Sequence, residues 1–524
     1  MNRTEALLKI QNCSQPFDIA IIGGGATGLG VAVDAASRGH TVALIEQADF
    51  AKGTSSRSTK LVHGGVRYLQ QGNIPLVLNA LRERGLLYRN APHLVRNLSF
   101  IIPTYSWQEG LYYGAGLKVY DRLAGSLSFG ASQCLSKAET MQRLPTLDPS
   151  QLSGGVVYQD GQFDDARLAV NLAQTATTLG AAVTNYVRCI AFLKQKDRIS
   201  GIRAEDVENH SEFDIPAKSV INATGVFVDT ICQMDDSAQA KLVRPSQGTH
   251  ILLPQEFFPG NDAMLIPKTE DGRVLFAIPW QGQVLLGTTE MPVNEISLEP
   301  RALPEEVQFL LSHAAQYLTK TPTGQDVLSI FAGLRPLVRS SDSQSTASIS
   351  RDHRIVISPS GLITVTGGKW TTYRKMAEDV VNQAELVGEL TRCPCRTPTL
   401  QIHGWTHETI SEVNLRPYGA DAQEIRTLIR RHPHLGQPLH TKLNYQQAEV
   451  IWQIRHEMAR QLEDVLARRT RALFLNAKAS AECAAIVAQL MAQELNLKQD
   501  WIDRQIQIYR NLAEGYEQLQ SVNF

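Results

Sequence analysis

The sequence predicts an α/β protein: a Rossmann-like dinucleotide-binding region, an antiparallel-sheet region threaded through it, and a helical region at the C-terminal end. Three observations carry that reading. Residues 17–46 read as strand, glycine turn, helix, strand and acid; residues 243–337 alternate short apolar runs with proline-punctuated turns; and residues 420–524 read as helices only, rich in Ala, Gln, Leu, Glu and Arg with very little glycine.

The first element is the apolar run from Asp18 to Ile22, followed by GGGATGLG from Gly23 to Gly30. A helical pattern then runs from Ala26 to Arg38 and stops at Gly39, before a second apolar run, Thr41 to Ile45, ends at Glu46. Gly23 makes the tight turn off the strand, Gly25 lets backbone approach a pyrophosphate, and Gly28 lets the helix pack closely on the sheet. The amides at the helix start, around Ala26 and Thr27, face the anion. Glu46, 18 residues past Gly28, stands where a carboxylate accepts from both ribose hydroxyls of an adenosine. It would repel a 2′-phosphate, so FAD or NAD is expected over NADP.

The stretch TSSRSTKLVHGGVRYL, Thr54 to Leu69, comes next. Its small hydroxyl residues, Lys60, His63 and the Gly64-Gly65 pair can approach a ligand closely and donate many hydrogen bonds. A solvated loop with a helix cap is the plainer alternative. Residues 76–87 read as a helix with Arg82, Glu83 and Arg84 on its wet side. Residues 107–120 gather Trp107, Leu111, Tyr112, Tyr113, Leu117 and Tyr120: a buried helix by default, a bilayer-interface helix if partly exposed, and the sequence leaves the two open. A helix from Ala166 to Leu179 stops at Gly180, a strand covers Ala182 to Val187, and Ile190 to Glu205 reads as a hairpin around Asp197-Arg198. Ser219 to Gly225 is a third sheet strand running into a close-packed turn. A helix from Pro304 to Tyr317 interrupts the antiparallel segment, Gly361 to Thr366 returns to the nucleotide region, and an amphipathic helix spans Trp370 to Val387.

With 524 residues the chain is long enough for two or three domains. Hydrophobic residues make up 43% and charged ones 20%, with a net charge of −1, so no global field argues for nucleic acid. No segment has the uninterrupted apolar length of a membrane span, and residues 1–15 lack the apolar core of a cleavable signal, which points to a cytoplasmic protein. Cys13, Cys134, Cys189, Cys232, Cys393, Cys395 and Cys483 form no CxxC pair and read as reduced thiols; no metal site is expected, at Cys393-Pro-Cys395 or elsewhere. Arg468, Arg469 and Arg471 read as a solvated face with ion pairs, with a contact to anionic lipid or a partner subunit as the sharper alternative.

The glycine turn together with TSSRSTKLVHGGVRYL resembles the FAD-dependent glycerol-3-phosphate dehydrogenases, the quinone-linked enzymes of the glycerol pathway. Similar stretches follow at GLKVYD from Gly116, DDARL from Asp164, NATG from Asn222, GTH from Gly248, GTT from Gly287, GLRP from Gly333 and GGKWTTYR from Gly367. The resemblance implies a two-dinucleotide-binding-fold flavoprotein over residues 17–390, with FAD-binding parts near 17–90, 150–240 and 340–390 and substrate-binding parts near 91–149 and 241–339. Residues 391–524 would form the helical domain. It implies FAD contacts at Thr54, Ser55, Ser56, Ser58, Lys60, His63, Gly64, Gly65, Val187, Ala223, Thr224, Gly225, Gly368, Lys369, Trp370 and Thr371, beside those of the glycine turn and Glu46. Substrate contacts would fall at Arg67, Tyr68, His250, Arg335, Lys369 and Thr372.

Those residue types suit the chemistry. A phosphorylated polyol needs cations, and the guanidinium fork matches phosphate oxygens in two directions. A helix opening at Gly367-Gly368 turns its positive end toward the flavin and favours hydride acceptance. His250 is the candidate base, because its ordinary pKa lies near working pH, and Arg335 is the competitor, stabilising an alkoxide without losing a proton. The expected reaction is oxidation of sn-glycerol 3-phosphate to dihydroxyacetone phosphate by hydride transfer to FAD. Electrons would pass to membrane quinone from a protein held peripherally at the cytoplasmic face. Alternatives are an oxygen-using glycerol-3-phosphate oxidase, a related amine or hydroxy-acid oxidase, and a degenerate flavin-binding sensor. No feature demands covalent attachment of FAD, so tight non-covalent binding is the default expectation, with a homodimer as the candidate assembly.

Overall fold

The computed structural model of the chain describes residues 1–70, 72–266, 274–339 and 353–517, with Arg67 and Gln70 by backbone alone. Two large sheets organise them. The first has eight strands, six of them in the spatial order His353–Ile357, Leu362–Gly367, Glu212–Asn222, Phe17–Ile22, Val42–Ile45 and Ala182–Thr184. All neighbours in that row run parallel except His353–Ile357. The hairpin Val187–Gln195 and Arg198–Asp206 pairs with the first half of Glu212–Asn222, and its turn holds Lys196 and Asp197 at positive φ, one residue before the Asp197-Arg198 turn that the sequence predicts.

Every residue of Val42–Ile45 and all but Asp18 of Phe17–Ile22 are buried, because a parallel sheet is covered on both faces. Helix Ala26–Ser37 packs on one face between Asp165–Thr178 and Tyr373–Val387. Its small residues allow the approach: a Cβ on Gly30 would lie 2.8 Å from the Tyr373 ring.

The second sheet has ten strands and is antiparallel apart from Ala263–Ile266 beside Val95–Thr104. Its long ladder pairs Val243–Pro254 with Ser329–Val338, setting His250 opposite Phe331 and Ser246 opposite Arg335. Helix Pro304–Tyr317, at the bounds the sequence predicts, buries Val307, Leu310, Leu311 and Ala314 on this sheet. Strand Val95–Thr104 belongs here too, so residues from the expected 91–149 and 241–339 segments share one sheet.

Three expectations are corrected. The C-terminal region is not helices only: Pro438–His440 and Leu443–Gln446 form a two-stranded sheet among its helices. Glu83 and Arg84 are not on a wet face but 2% and 1% exposed, since helix Ile74–Asn90 is covered by Trp107–Ala124 and the turn at Trp370. Burial is tolerated through pairing, Glu83 with Arg374 at 2.7 Å and Arg84 with Asp160 at 2.8 Å. Arg468, Arg469 and Arg471 are buried rather than solvated. Arg468 and Arg469 share Asp49, and Arg471 Nη2 donates to the Ser56 carbonyl at 2.6 Å.

Helix Trp107–Ala124 is amphipathic: Leu117 and Tyr120 are buried, whereas Trp107, Leu111 and Tyr112 are 68%, 63% and 62% exposed. No helix among the described residues is long and apolar enough to cross a membrane.

Candidate active site

The strand Phe17–Ile22 delivers the chain to Gly23, whose positive φ of 111° turns it beneath Ala223; a Cβ here would lie 2.7 Å from the Ala223 carbonyl oxygen. Gly28 packs over that turn, with room for no side chain: its Cβ would come within 1.9 Å of the Gly23 carbonyl. The Ala26 amide donates to Ser55 Oγ at 2.9 Å, which ties the hydroxyl-rich stretch to the helix start. Glu46 Oε2 accepts from the Gly24 amide at 2.7 Å and Oε1 from Ala48 at 2.9 Å, so the carboxylate is aimed by backbone. Burial raises its pKa.

A cavity of about 650 Å³ opens here, within the range of cofactor sites. Its wall takes Gly23, Gly25, Ala26, Thr27 and Glu46 from the glycine turn and second strand, and Val187 from the hairpin. Ala223, Thr224 and Gly225 come from the third strand's end, and Gly368, Lys369, Trp370 and Thr371 from the last. From the hydroxyl-rich stretch come Thr54, Ser55, Ser58, His63 and Tyr68. That stretch is pinned from outside: Thr54 Oγ1 donates to the Leu334 carbonyl at 2.6 Å, Trp370 Nε1 to that of Ser55 at 2.8 Å, and the His63 amide to Thr371 Oγ1 at 3.2 Å.

The second sheet closes the same cavity with His250 and Arg335. Arg335 Nη1 donates to the Gln247 carbonyl at 3.2 Å and Nη2 to Thr288 Oγ1 at 3.0 Å. Gly248 makes room for the guanidinium, 2.2 Å from where its Cβ would stand. His250 stacks on Phe331 with centroids 4.9 Å apart, and its Nε2 meets Thr59 Oγ1 at 2.9 Å. Burial, with the Lys60 and Arg335 cations nearby, holds its pKa well below 6.5, so the imidazole is neutral at working pH. Lys369 Nζ lies 3.8 Å from the Tyr68 ring centroid.

The chain is similar to known proteins over most of its length. Residues 18–374 match the family model described as FAD dependent oxidoreductase, and residues 362–501 the C-terminal domain of alpha-glycerophosphate oxidase. The mitochondrial glycerol-3-phosphate dehydrogenase of Homo sapiens is 41% identical over 531 residues, covering 94% of this chain and 72% of that protein. That of Arabidopsis thaliana is 38% identical, covering 99% and 89%. The FAD complex of glycerol-3-phosphate dehydrogenase from Bacillus halodurans superposes with a TM-score of 0.81 at 28% identity, over 99% of both chains.

The chain belongs to the FAD-dependent glycerol-3-phosphate dehydrogenase family. Its cofactor is FAD and its fold that of the FAD-dependent oxidoreductases. L-alpha-glycerophosphate oxidase from Mycoplasma pneumoniae shares the fold at 17% identity and a TM-score of 0.55, over 73% of this chain and 97% of that one.

The cavity fits that cofactor: a glycine-lined turn at a helix start, a backbone-held carboxylate, and hydroxyls from Thr54, Ser55 and Ser58 on one wall. Several residues expected at the site of this dehydrogenase-family chain lie behind the wall instead. Lys60 is fully buried, donating from Nζ to Asp165 at 2.7 Å and to the carbonyls of Ser56 and Ser58 at 2.9 and 3.0 Å; burial brings its pKa down to about 7. Ser56 is buried beside it, and Gly64 packs against Leu81 and the Tyr120 hydroxyl. Gly65, at φ 79°, sits against the Tyr68 ring, and Thr372 donates to the Lys369 carbonyl at 3.3 Å. The side chain of Arg67 lies outside the described residues.

Sequence reasoning missed Thr59, Lys52 and Arg57, which also line the cavity. Arg57 and Lys52 both pair with Glu299, at 2.8 and 3.0 Å. The only sequence signal for Thr59 is its place in the run of hydroxyl residues.

Proposed function

We propose that this chain oxidises sn-glycerol 3-phosphate to dihydroxyacetone phosphate and passes the electrons to membrane quinone. The observation that carries the substrate reading is the convergence of two cationic side chains, Arg335 and Lys369, with the buried His250 on the wall of one cavity. The relatives' names, glycerol-3-phosphate dehydrogenase, support the same substrate.

In this reading Arg335 and Lys369 hold the phosphate and Tyr68 hydrogen-bonds the polyol. His250 takes the hydroxyl proton in this reading, since a neutral ring keeps one nitrogen unprotonated to receive it. Arg335, braced against Gln247 and Thr288, stabilises negative charge on the oxygen as that proton leaves. Bound FAD supplies the two-electron acceptor for the hydride from the carbinol carbon.

The exposed face of Trp107–Ala124 supports the quinone acceptor. Trp107, Leu111, Tyr112 and Val119 stand out on it, while the packed helix Ile74–Asn90 exposes Ile74 and Leu78. Such a face suits peripheral docking at a bilayer, where quinone dissolves. The alpha-glycerophosphate oxidase match over residues 362–501 favours oxygen as a second reading.

Anaerobic flavin bleaching tests the substrate. Glycerol 3-phosphate is expected to bleach the holoenzyme, and glycine, sarcosine and 2-hydroxyglutarate to leave it yellow. Bleaching by an amine or a hydroxy acid in preference would overturn the reading.

A further inference from the structure

Two apolar neighbours hold the plane of the His250 ring. Phe331, its partner across the strand ladder, stacks on one face with an interplanar angle of 13°. Gly287 leaves the opposite approach open to the ring, since its Cβ would stand 2.2 Å from Cδ2. Neither contact tells the two flips of an imidazole apart: rotating the ring by a half-turn about the Cβ–Cγ bond keeps the plane and exchanges nitrogen for carbon at the same places. One polar contact does, Nε2 to Thr59 Oγ1 at 2.9 Å, and among the described residues Nδ1 is buried without a hydrogen-bond partner.

We propose that Thr59 is the positioning residue for His250: its hydroxyl selects the ring flip, and the tautomer, in which the imidazole meets the substrate hydroxyl. A neutral imidazole carries one proton, so whichever role Nε2 takes with the threonine oxygen fixes Nδ1 in the other. Without the hydroxyl, Nε2 loses the contact that distinguishes this flip, and the preference for it falls away. Thr59 is well placed to hold firm. The next residue, Lys60, is anchored to Asp165 and to the carbonyls of Ser56 and Ser58, and Ser58 Oγ donates to the same carboxylate at 2.7 Å. The hydroxyl therefore stands on a backbone that is itself tied down.

The inference rests on His250 as the proton acceptor, and the test separates the two. Stopped-flow reduction of the bound flavin by glycerol 3-phosphate is measured for the parent, Thr59→Val, Thr59→Ser, His250→Ala and the Thr59→Val/His250→Ala double variant. Thr59→Val keeps the side-chain shape and is expected to reduce its flavin about 10²-fold more slowly, with FAD content and KM little changed. Thr59→Ser is expected to recover to within a few-fold. In the His250→Ala background the valine is expected to cost almost nothing more, the signature of a residue acting through the histidine. The ¹⁵N shifts of the His250 ring, assigned by their loss in His250→Ala, should change in Thr59→Val and return in Thr59→Ser. Reduction at the parental rate in Thr59→Val, a fully additive loss in the double variant, or unchanged ring shifts would each overturn the proposal. A His250→Ala enzyme as fast as the parent would instead remove the histidine's role, and this inference with it. Should Thr59→Val not accumulate as a folded flavoprotein, Thr59→Ala is read in the same way.

Discussion

Gly287 shows how far single atoms set the site. A methyl group there would stand 2.2 Å from His250 Cδ2, so Gly287→Ala must push the ring off Phe331. A displacement of that order is expected to slow flavin reduction by about 10²-fold while FAD stays bound, read by stopped-flow absorbance on the yellow protein. A second residue sets a pH response. His93 is held neutral by burial and by the Arg167 cation, its pKa lowered from 6.5 to about 4. The unfolded chain takes up this proton first as pH falls, so the stability is intact above about pH 6.5 and is lost toward pH 4, on the order of 3 kcal/mol. The Tm of His93→Gln should accordingly fall less steeply than the parent's across that window. Legibility at this scale follows the reach of the contact. The glycine turn is readable because its geometry is local to eight residues, Gly23 to Gly30. Lys60 misleads because its direction is decided by Asp165, 105 residues away, and Thr59 goes unnoticed because its partner His250 is 191 away.

Elements were legible where periodicity and punctuation agreed. Helix Pro304–Tyr317 and the hairpin turning at Lys196-Asp197 follow from a proline start and a turn signal. Helix Ile74–Asn90 misleads because charged side chains mark a wet face only where nothing covers them, and Arg374 and Asp160 arrive from distant segments to neutralise Glu83 and Arg84. Likewise, the short hairpin Pro438–His440 with Leu443–Gln446 is too brief to show against its helical surroundings. Helix Trp107–Ala124 is only half the buried helix that its aromatic stripe suggests by default: Leu117 and Tyr120 are covered and Trp107, Leu111 and Tyr112 are open. If the open face docks on a bilayer, Trp107→Ser with Leu111→Ser and Tyr112→Ser should lower co-sedimentation with phosphatidylethanolamine/phosphatidylglycerol vesicles at least tenfold. Reduction of the flavin by glycerol 3-phosphate should be unaffected. Equal binding by parent and variant would remove this helix as the attachment surface.

Across the whole molecule, buried ion pairs fasten the C-terminal helices to the FAD-binding sheet. Asp49, just past the strand Val42–Ile45, accepts from Arg468 and Arg469, and Arg167 reaches Glu457 at 2.6 Å. Removing one partner strands a charge, so Arg469→Ala is expected to cost about 3 kcal/mol and to lower Tm in a single transition; a separate early transition of the C-terminal part would contradict this coupling. None of these pairs is visible in the sequence, because each joins residues hundreds apart, whereas the order of sheet, antiparallel insert and helical end is, since it rests on patterns repeated along the chain. The cavity where the two sheets meet brings the cofactor wall to His250 and Arg335, and with them the claim of a quinone-linked dehydrogenase. The direct measurement is anaerobic reduction of the purified holoenzyme by glycerol 3-phosphate, followed by mixing either with a soluble quinone analogue or with oxygen. Full bleaching, then reoxidation much faster by the quinone than by oxygen, is the predicted result. Rapid reoxidation by oxygen with stoichiometric peroxide, or no bleaching at all, would contradict it.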